Sequence, residues 1–192
     1  MACIGNKASE IDPTLESFVS TLTKKGIKLL AVDFDKTLVD IHTGGSWKEG
    51  TDKLTVHVRP CMRDLVEHAH RKGIHVCIVT FSRQAWMIRE LLQKVLPKKI
   101  ATKVIVQSTP SDSEDQQESL HFLCKEPHIT SVVNELYAKY GIMIKSKEIL
   151  LLDDEMDNLY KASNFNHHAF FVPQNVNYDT FASFERMLNI KP

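Results

Sequence analysis

Ile27-Lys28-Leu29-Leu30-Ala31-Val32-Asp33-Phe34-Asp35-Lys36-Thr37-Leu38 is the stretch that decides the fold. From Ile27 to Phe34 the run is nearly all apolar, broken only by Lys28 and Asp33. A half-exposed strand would alternate. An unbroken run suits a strand covered on both faces, as in a parallel sheet packed between helices. Two carboxylates one residue apart then close it. In an extended chain both point to one face, and a turn still lets them converge. Two anions that close at the rim of a core repel and are costly to desolvate. A divalent cation would relieve both costs, and Mg²⁺ takes a few carboxylates together with water and phosphate oxygens. An isolated Asp-x-Asp reads more simply as a solvated loop start capped by Thr37, so its weight depends on what the rest of the chain supplies.

Outward from this strand, helix and strand patterns alternate. Pro13 to Lys25 has helical spacing, with Leu15, Phe18, Val19 and Leu22 on one face, and Gly26 ends it. Thr43 to Asp52 is a polar, glycine-containing loop, and the alternation in Leu54 to Val58 predicts a short edge strand. Pro60 opens a helix through Arg71, closed by Gly73. Ile74 to Val79 is the second buried strand, Arg83 to Val95 a helix, and Lys103 to Val106 a short strand. Ser108 to Ser119 is polar and acidic and reads as an exposed loop. Ile129 to Tyr140 is a helix stopped by Gly141. Glu148 to Leu152 and Ala169 to Val172 are further strands, and a last helix runs from Tyr178 to Leu188. This order predicts a doubly wound α/β sandwich with a mostly parallel sheet and helices on both faces.

Length and charge agree. The chain has 192 residues, enough for one domain with a sizeable core, and residues 1–26 read as an N-terminal helical extension packed on it. Lys plus Arg (24) balance Asp plus Glu (24), which argues against a nucleic-acid-coating protein or an acidic tail. No run approaches the length of a membrane span. Met1 to Glu10 lacks the apolar core of a secretory signal, and Met-Ala at the start excludes myristoylation. The four cysteines, Cys3, Cys61, Cys77 and Cys124, lie far apart. They form neither a zinc ribbon nor a disulfide framework, and read as reduced thiols in a cytosolic or nuclear setting.

In a doubly wound sheet, ligands sit at the carboxyl ends of the strands. The second strand ends Val79-Thr80-Phe81-Ser82, which places hydroxyls at the same rim as Asp33 and Asp35. Capping of the next helix is the plainer use for Thr80 and Ser82. The third strong strand ends Leu152-Asp153-Asp154-Glu155, with Asp157 close behind; one of these acids can equally serve as an N-cap. A cation is still needed to balance a phosphate. Lys125, in Cys124-Lys125-Glu126-Pro127-His128, precedes a helix; Lys145 and Lys147 are alternatives nearer the Asp153 strand.

Taken together, Asp33-Phe34-Asp35-Lys36-Thr37-Leu38, Thr80, Lys125 and Asp153-Asp154 resemble the four motifs of the haloacid dehalogenase superfamily, in order, spacing and strand-end placement. The stretch Leu152 to Asn158 also looks like that of the small magnesium-dependent phosphatases in it. The resemblance spans about Leu29 to Leu159. It implies a Rossmann-like hydrolase domain, with Asp33 as nucleophile and Asp35 as general acid and then base; Asp35 is the acid that separates phosphatases from dehalogenases. It implies that Thr80 and Lys125 hold phosphoryl oxygens. Mg²⁺ would be held by Asp33, the Asp35 carbonyl and Asp154, alone or with Asp153. The fourth motif reads Asp-Asp where Gly-Asp is commoner, so the liganding acid is open, and Lys147 rivals Lys125 for the third motif.

The spacing leaves no room for a folded cap after Asp33 or after Thr80. Members without a cap have open sites and often act on bulky phosphates. The substrate class stays open among small molecules, phosphoproteins and nucleic-acid ends. The loop Asp40 to Asp52 follows the nucleophile. In it His42 is a candidate for assisting phosphate binding, and Trp47 for stacking on a substrate ring or for anchoring the loop. The expectation is a Mg²⁺-dependent phosphomonoesterase. The rivals are a non-catalytic phosphate- or protein-binding module on the same fold, and a phosphotransferase.

Overall fold

The computed structural model describes residues 11–109 and 123–190. Five strands, β1 (Leu29–Val32), β2 (His75–Thr80), β3 (Ile105–Ser108), β4 (Ile149–Asp153) and β5 (His168–Phe171), form one sheet in the order β3-β2-β1-β4-β5. All four pairings are parallel. The helices are α1 (Pro13–Lys24), α2 (Thr51–Thr55), α3 (Pro60–Arg71), α4 (Ala85–Val95), α5 (Lys98–Ala101), α6 (Glu126–Tyr140), α7 (Met156–Asn164) and α8 (Tyr178–Asn189).

The strand side chains divide by parity, which explains why the strands read as unbroken apolar runs. Leu30, Val32, Val76, Ile78, Leu150 and Leu152 face a core built with α1, α3, α4 and α8. Leu29, Ala31, Cys77, Val79, Ile149 and Leu151 face a second core built with α6 and α7. With both faces buried there is no polar position for alternation to mark. Cys77 is fully buried, and burial pushes its thiol pKa up, as suits a small core residue. Cys3 lies outside the described residues. On the first face α1 packs against α8, with Phe18 stacked on Phe181 at 5.5 Å between ring centres.

Two expectations need revision. Leu54 to Val58 is not an edge strand: Thr51–Thr55 is helical, burying Thr51 and Leu54 at helical spacing, while Val56 is 79% exposed. All that remains of strand character is an antiparallel bridge from Val58 to Val39. β3 starts two residues later than expected, because Lys98–Ala101 forms a separate turn of helix after Pro97 and Lys103 closes it. The acidic stretch Ser111 to Glu118 lies outside the described residues. No helix among the described residues is long and apolar enough to cross a membrane.

β1 has β2 on one side and β4 on the other, so the order of connection reverses at β1. The crevice at such a switch lies outside the carboxyl ends of the strands. For this chain the residues arriving there are those after Val32, Val79 and Leu152.

Candidate active site

Asp33 follows β1 and stays extended (φ −68°, ψ 162°), its N–H donating to the Leu152 carbonyl at 2.9 Å. The chain then makes one wide turn over Phe34–Leu38, closed by the Val39 N–H on the Phe34 carbonyl at 3.0 Å. Such i→i+5 turns favour functional sites because they re-aim side chains without breaking the backbone pairing. Lys36 sits in the left-handed region at φ 54°, an uncommon place for a residue with a Cβ. Buried Arg59 helps hold it there: its guanidinium donates to the Lys36 carbonyl at 3.2 Å and to the Gln174 carbonyl at 2.7 Å.

The turn brings Asp35 over the crevice, where one oxygen is doubly held. The backbone N–H of Thr43 donates to Asp35 Oδ1 at 3.0 Å, and its hydroxyl donates to the same oxygen at 2.8 Å. Asp35 Oδ2 lies 3.0 Å from His42 Nδ1. The loop carrying these residues reverses at Gly44 and Gly45, both left-handed (φ 68° and 72°), a pair of conformations that only glycine adopts cheaply. It is pinned to the β2–α4 turn: Gln84 accepts from the Trp47 N–H and donates to the Trp47 carbonyl at 3.0 Å, and the Arg83 N–H donates to Gly45 O.

Lys125, just before α6, is 3% exposed and sends its ammonium 2.6 Å from Asp33 Oδ1, 3.1 Å from the Val79 carbonyl and 4.2 Å from the centre of the Phe81 ring. Lys147 lies in the turn before β4, at the opposite end of the strand from Asp153, with Lys145 capping that turn. Asp153 ends β4 and is fully buried. Its Oδ1 accepts from Asn158 Nδ2 and from the Glu155 N–H, each at 2.9 Å. Asp153 Oδ2 has no hydrogen-bond partner among the described residues. Asp33, Asp153 and Asp154 each place a carboxylate oxygen within 4.8 Å of the others.

This arrangement is electrostatically unfinished. Burial pushes the Asp33 carboxyl up to about 8, against the pull of the Lys125 ammonium, and Asp153 adds to the push. Asp153 and Asp154 are also raised, chiefly by burial, with Lys125 and Lys36 respectively opposing. Burial works against the Lys125 ammonium too, but Asp33 and Asp153 outweigh it and its pKa stands above the ordinary lysine value. One buried ammonium faces three carboxylates. An orphaned, fully buried carboxylate oxygen is costly in a native structure and calls for a ligand. Three hard oxygen donors around one point, one of them orphaned, fit a divalent cation such as Mg²⁺.

The crevice, about 340 Å³, is lined by Asp33, Asp35, Lys36, His42, Thr80 and Lys125, and also by Ser82, Phe81 and the Asp153–Glu155 turn. Thr80 Oγ1 accepts from the Ser82 N–H at 3.1 Å, which leaves its proton to donate elsewhere. The Ser82 hydroxyl accepts from the Gln84 N–H at 3.3 Å in the turn before α4, and among the described residues no side chain caps that helix. Trp47 is not among the lining residues. Its indole N–H donates to the Gly50 carbonyl at 2.8 Å and its ring packs against the core, so of its two expected uses the structure shows the loop anchor. Larger clefts, of about 730, 620 and 500 Å³, lie by α1 and α3, along β3 and beside the start of α6, and among the described residues none of them holds such a grouping.

Sequence reasoning passed over three residues. Thr43 fixes Asp35, Asn158 fixes Asp153, and Arg59 holds the turn between them. Asn158 follows Asp153 by five residues, in the first turn of α7, a spacing that was legible; Thr43 and Arg59 act through loop geometry that no local pattern encodes.

No protein-family model matches the sequence, and no curated protein matches it. Solved structures do resemble it in shape. One is the N-terminal part of a Bacteroides fragilis protein, containing a phosphatase domain and complexed with Mg: TM-score 0.54, 13% identity, covering 87% of this chain and 43% of that one. The chain thus spans less than half of that structure. Another, described as a predicted hydrolase of the haloacid-dehalogenase-like family from Porphyromonas gingivalis, matches over 86% of this chain and all of its own, at TM-score 0.50 and 12% identity. With the strand order and the turn after β1, these likenesses show that the chain has the fold of the haloacid dehalogenase superfamily.

Proposed function

We propose that the protein is a Mg²⁺-dependent phosphatase that hydrolyses phosphate monoesters through an aspartyl-phosphate on Asp33. The observation that carries this reading is the buried group itself: Lys125 Nζ 2.6 Å from Asp33, within a carboxylate cluster whose members lie within 4.8 Å. A phosphate dianion entering this crevice meets the Lys125 ammonium and the Thr80 hydroxyl as donors.

In the first step an Asp33 oxygen attacks phosphorus, the Oδ–P bond forms and the ester P–O bond breaks. Asp35 gives its proton to the departing oxygen. In the second step Asp35, now a carboxylate, takes a proton from water, the water oxygen bonds phosphorus and the acyl-phosphate P–O bond breaks. Asp33, Asp153 or Asp154 and the Asp35 carbonyl are the groups that would hold the cation. When bound, Mg²⁺ supplies screening between nucleophile and phosphate and charge stabilisation on the transferring group. The likeness to the Mg-complexed Bacteroides fragilis phosphatase domain supports phosphate chemistry. The loop from Asp40 to Asp52 faces the crevice through His42, Gly44 and Gly45, and between the turn after β1 and Thr80 the chain forms α2, α3 and β2. That openness favours a bulky phosphate ester over a phosphotransferase, which has to keep water from the phospho-aspartate.

The test is p-nitrophenyl phosphate turnover with Mg²⁺. Asp33→Asn is expected to abolish it with the fold retained, and EDTA to abolish it reversibly. Undiminished turnover in Asp33→Asn would refute the assignment.

A further inference from the structure

Immediately after Lys125, the chain carries a second buried ion pair that the proposed mechanism does not use. Glu126, the first residue of α6, places Oε2 3.1 Å from His167 Nε2, with side-chain exposures of 6% and 5%. The other ring nitrogen of His167, Nδ1, lies 2.9 Å from the Ser146 carbonyl. With an acceptor at each nitrogen, the imidazole can donate from both only as imidazolium, the form that complements a glutamate. The Phe165 ring stacks on it at 6.5 Å and 20°. Glu126 Oε1 is buried with no hydrogen-bond partner among the described residues, and among them His167 is the one hydrogen-bonding partner of that carboxylate.

The pair is an unpromising source of net stability, because desolvating both charges costs about what their attraction returns. Its geometry suits another use. His167 and Ser146 precede β5 and β4, so they are fixed to the sheet. Cys124, the residue before Lys125, is held at φ 54°, an uncommon conformation for a residue with a Cβ, and it persists only where the surroundings impose it. Lys125 itself reaches Asp33 from a backbone that no strand holds.

We propose that Glu126, clamped by His167, is a positioning residue for Lys125: the buried pair ties the start of α6 to the segments that enter β4 and β5 and so sets where the Lys125 ammonium stands relative to Asp33. This rests on the phosphatase reading for its kinetic consequence only.

The experiment uses the full chain with Glu126→Gln, which keeps shape and one acceptor while removing the charge, and His167→Gln as a second variant should the first not fold. In the Lys125-containing protein, Glu126→Gln is expected to lower kcat/KM for p-nitrophenyl phosphate about 10-fold, since displacements near 1 Å cost up to about 100-fold. In a Lys125→Met background the same change is expected to cost nothing further, because residues acting through one another are not additive. A merely structural role predicts equal losses in both backgrounds, and that result would overturn the proposal. A second readout needs no activity. Acylation of lysines by acetic anhydride, mapped by mass spectrometry, is expected to label Lys125 about 10-fold faster in the variant, with exposed Lys28 unchanged. If the wild-type chain releases no phosphate, the phosphatase reading fails and labelling alone decides. Unchanged Lys125 labelling overturns the positioning role in either case.

Discussion

Thr43 offers a sharp test of how Asp35 works. Both of its donors converge on Asp35 Oδ1, at 3.0 Å from the backbone and 2.8 Å from the hydroxyl. With that oxygen occupied by two donors, a proton on the carboxyl resides on Oδ2, the oxygen beside His42. Thr43→Val keeps the β-branched shape and the backbone donor and removes only the hydroxyl. Thr43 is buried, so water does not replace the lost donor. One hydrogen bond to a charged group contributes about 1.5–3 kcal/mol. At about 1.4 kcal/mol per tenfold in rate, the change is worth roughly 10- to 100-fold if the bond is fully expressed in the transition state. The leaving group separates the possibilities. p-Nitrophenolate departs without much help from a proton, whereas a phenolate or alkoxide needs it. The loss in kcat/KM is therefore expected to be small with p-nitrophenyl phosphate and to grow toward the full range with phenyl phosphate and alkyl phosphates. Steady-state rates across such a series read it directly. An equal loss for every leaving group, with the fold intact by circular dichroism, would refute a proton-donating role for Asp35.

Asn158→Ala removes a donor from Asp153 Oδ1 and is expected to raise the Mg²⁺ concentration for half-maximal turnover about 10-fold or more, as loss of groups that orient a ligand does elsewhere; a metal titration of activity checks it. Phe18→Ala empties a fully buried site stacked on Phe181 and tilted against Phe184, and is expected to cost about 3–5 kcal/mol in urea unfolding, which also tests whether the N-terminal helix belongs to the folded unit. His128 is held down to about 4, first by burial and then by the Lys125 ammonium. Below the ordinary histidine value of 6.5 the unfolded chain takes up a proton that the native state refuses, so stability falls as pH drops from about 6.5 toward 4, by at most about 3 kcal/mol; His128→Gln is expected to flatten that limb of the stability profile.

Much of this architecture was legible because the physics that makes it is local. The apolar runs around Leu30, Ile78 and Leu151 announced strands buried on both faces, and the carboxylates and hydroxyls after them announced the crevice. The segment from Leu54 to Val58 misled for a related reason. Its alternation satisfies a strand's period, but Val56 points to solvent and Leu54 is buried with Thr51 on a helix, a choice made by packing and not by pattern. Lys125 could be weighed against Lys147 from its loop position but not placed, because what brings it to Asp33 is a contact across 92 residues of chain. The same holds for Arg59, whose partners Lys36 and Gln174 are distant in sequence, and for the Glu126–His167 pair.

The charge arithmetic at β1 links these levels. Asp33, Asp153 and Asp154 sit within 4.8 Å, two of them buried, and Lys125 supplies one balancing charge. Lys36 stands 4.0 Å from Asp154 at an exposed position, where screening leaves such a pair little energy. A second buried lysine would balance the charge permanently, and would also compete with a phosphate for Asp33. A net deficit of about two charges is what a removable divalent cation fills. The fold tolerates the deficit because the strands that deliver the acids are among the most deeply buried parts of the sheet, covered on both faces by helices. Stability is thus drawn from the cores on either side of β1, and the strain of gathered charge is confined to the few residues past its end, where a phosphate ester can use it.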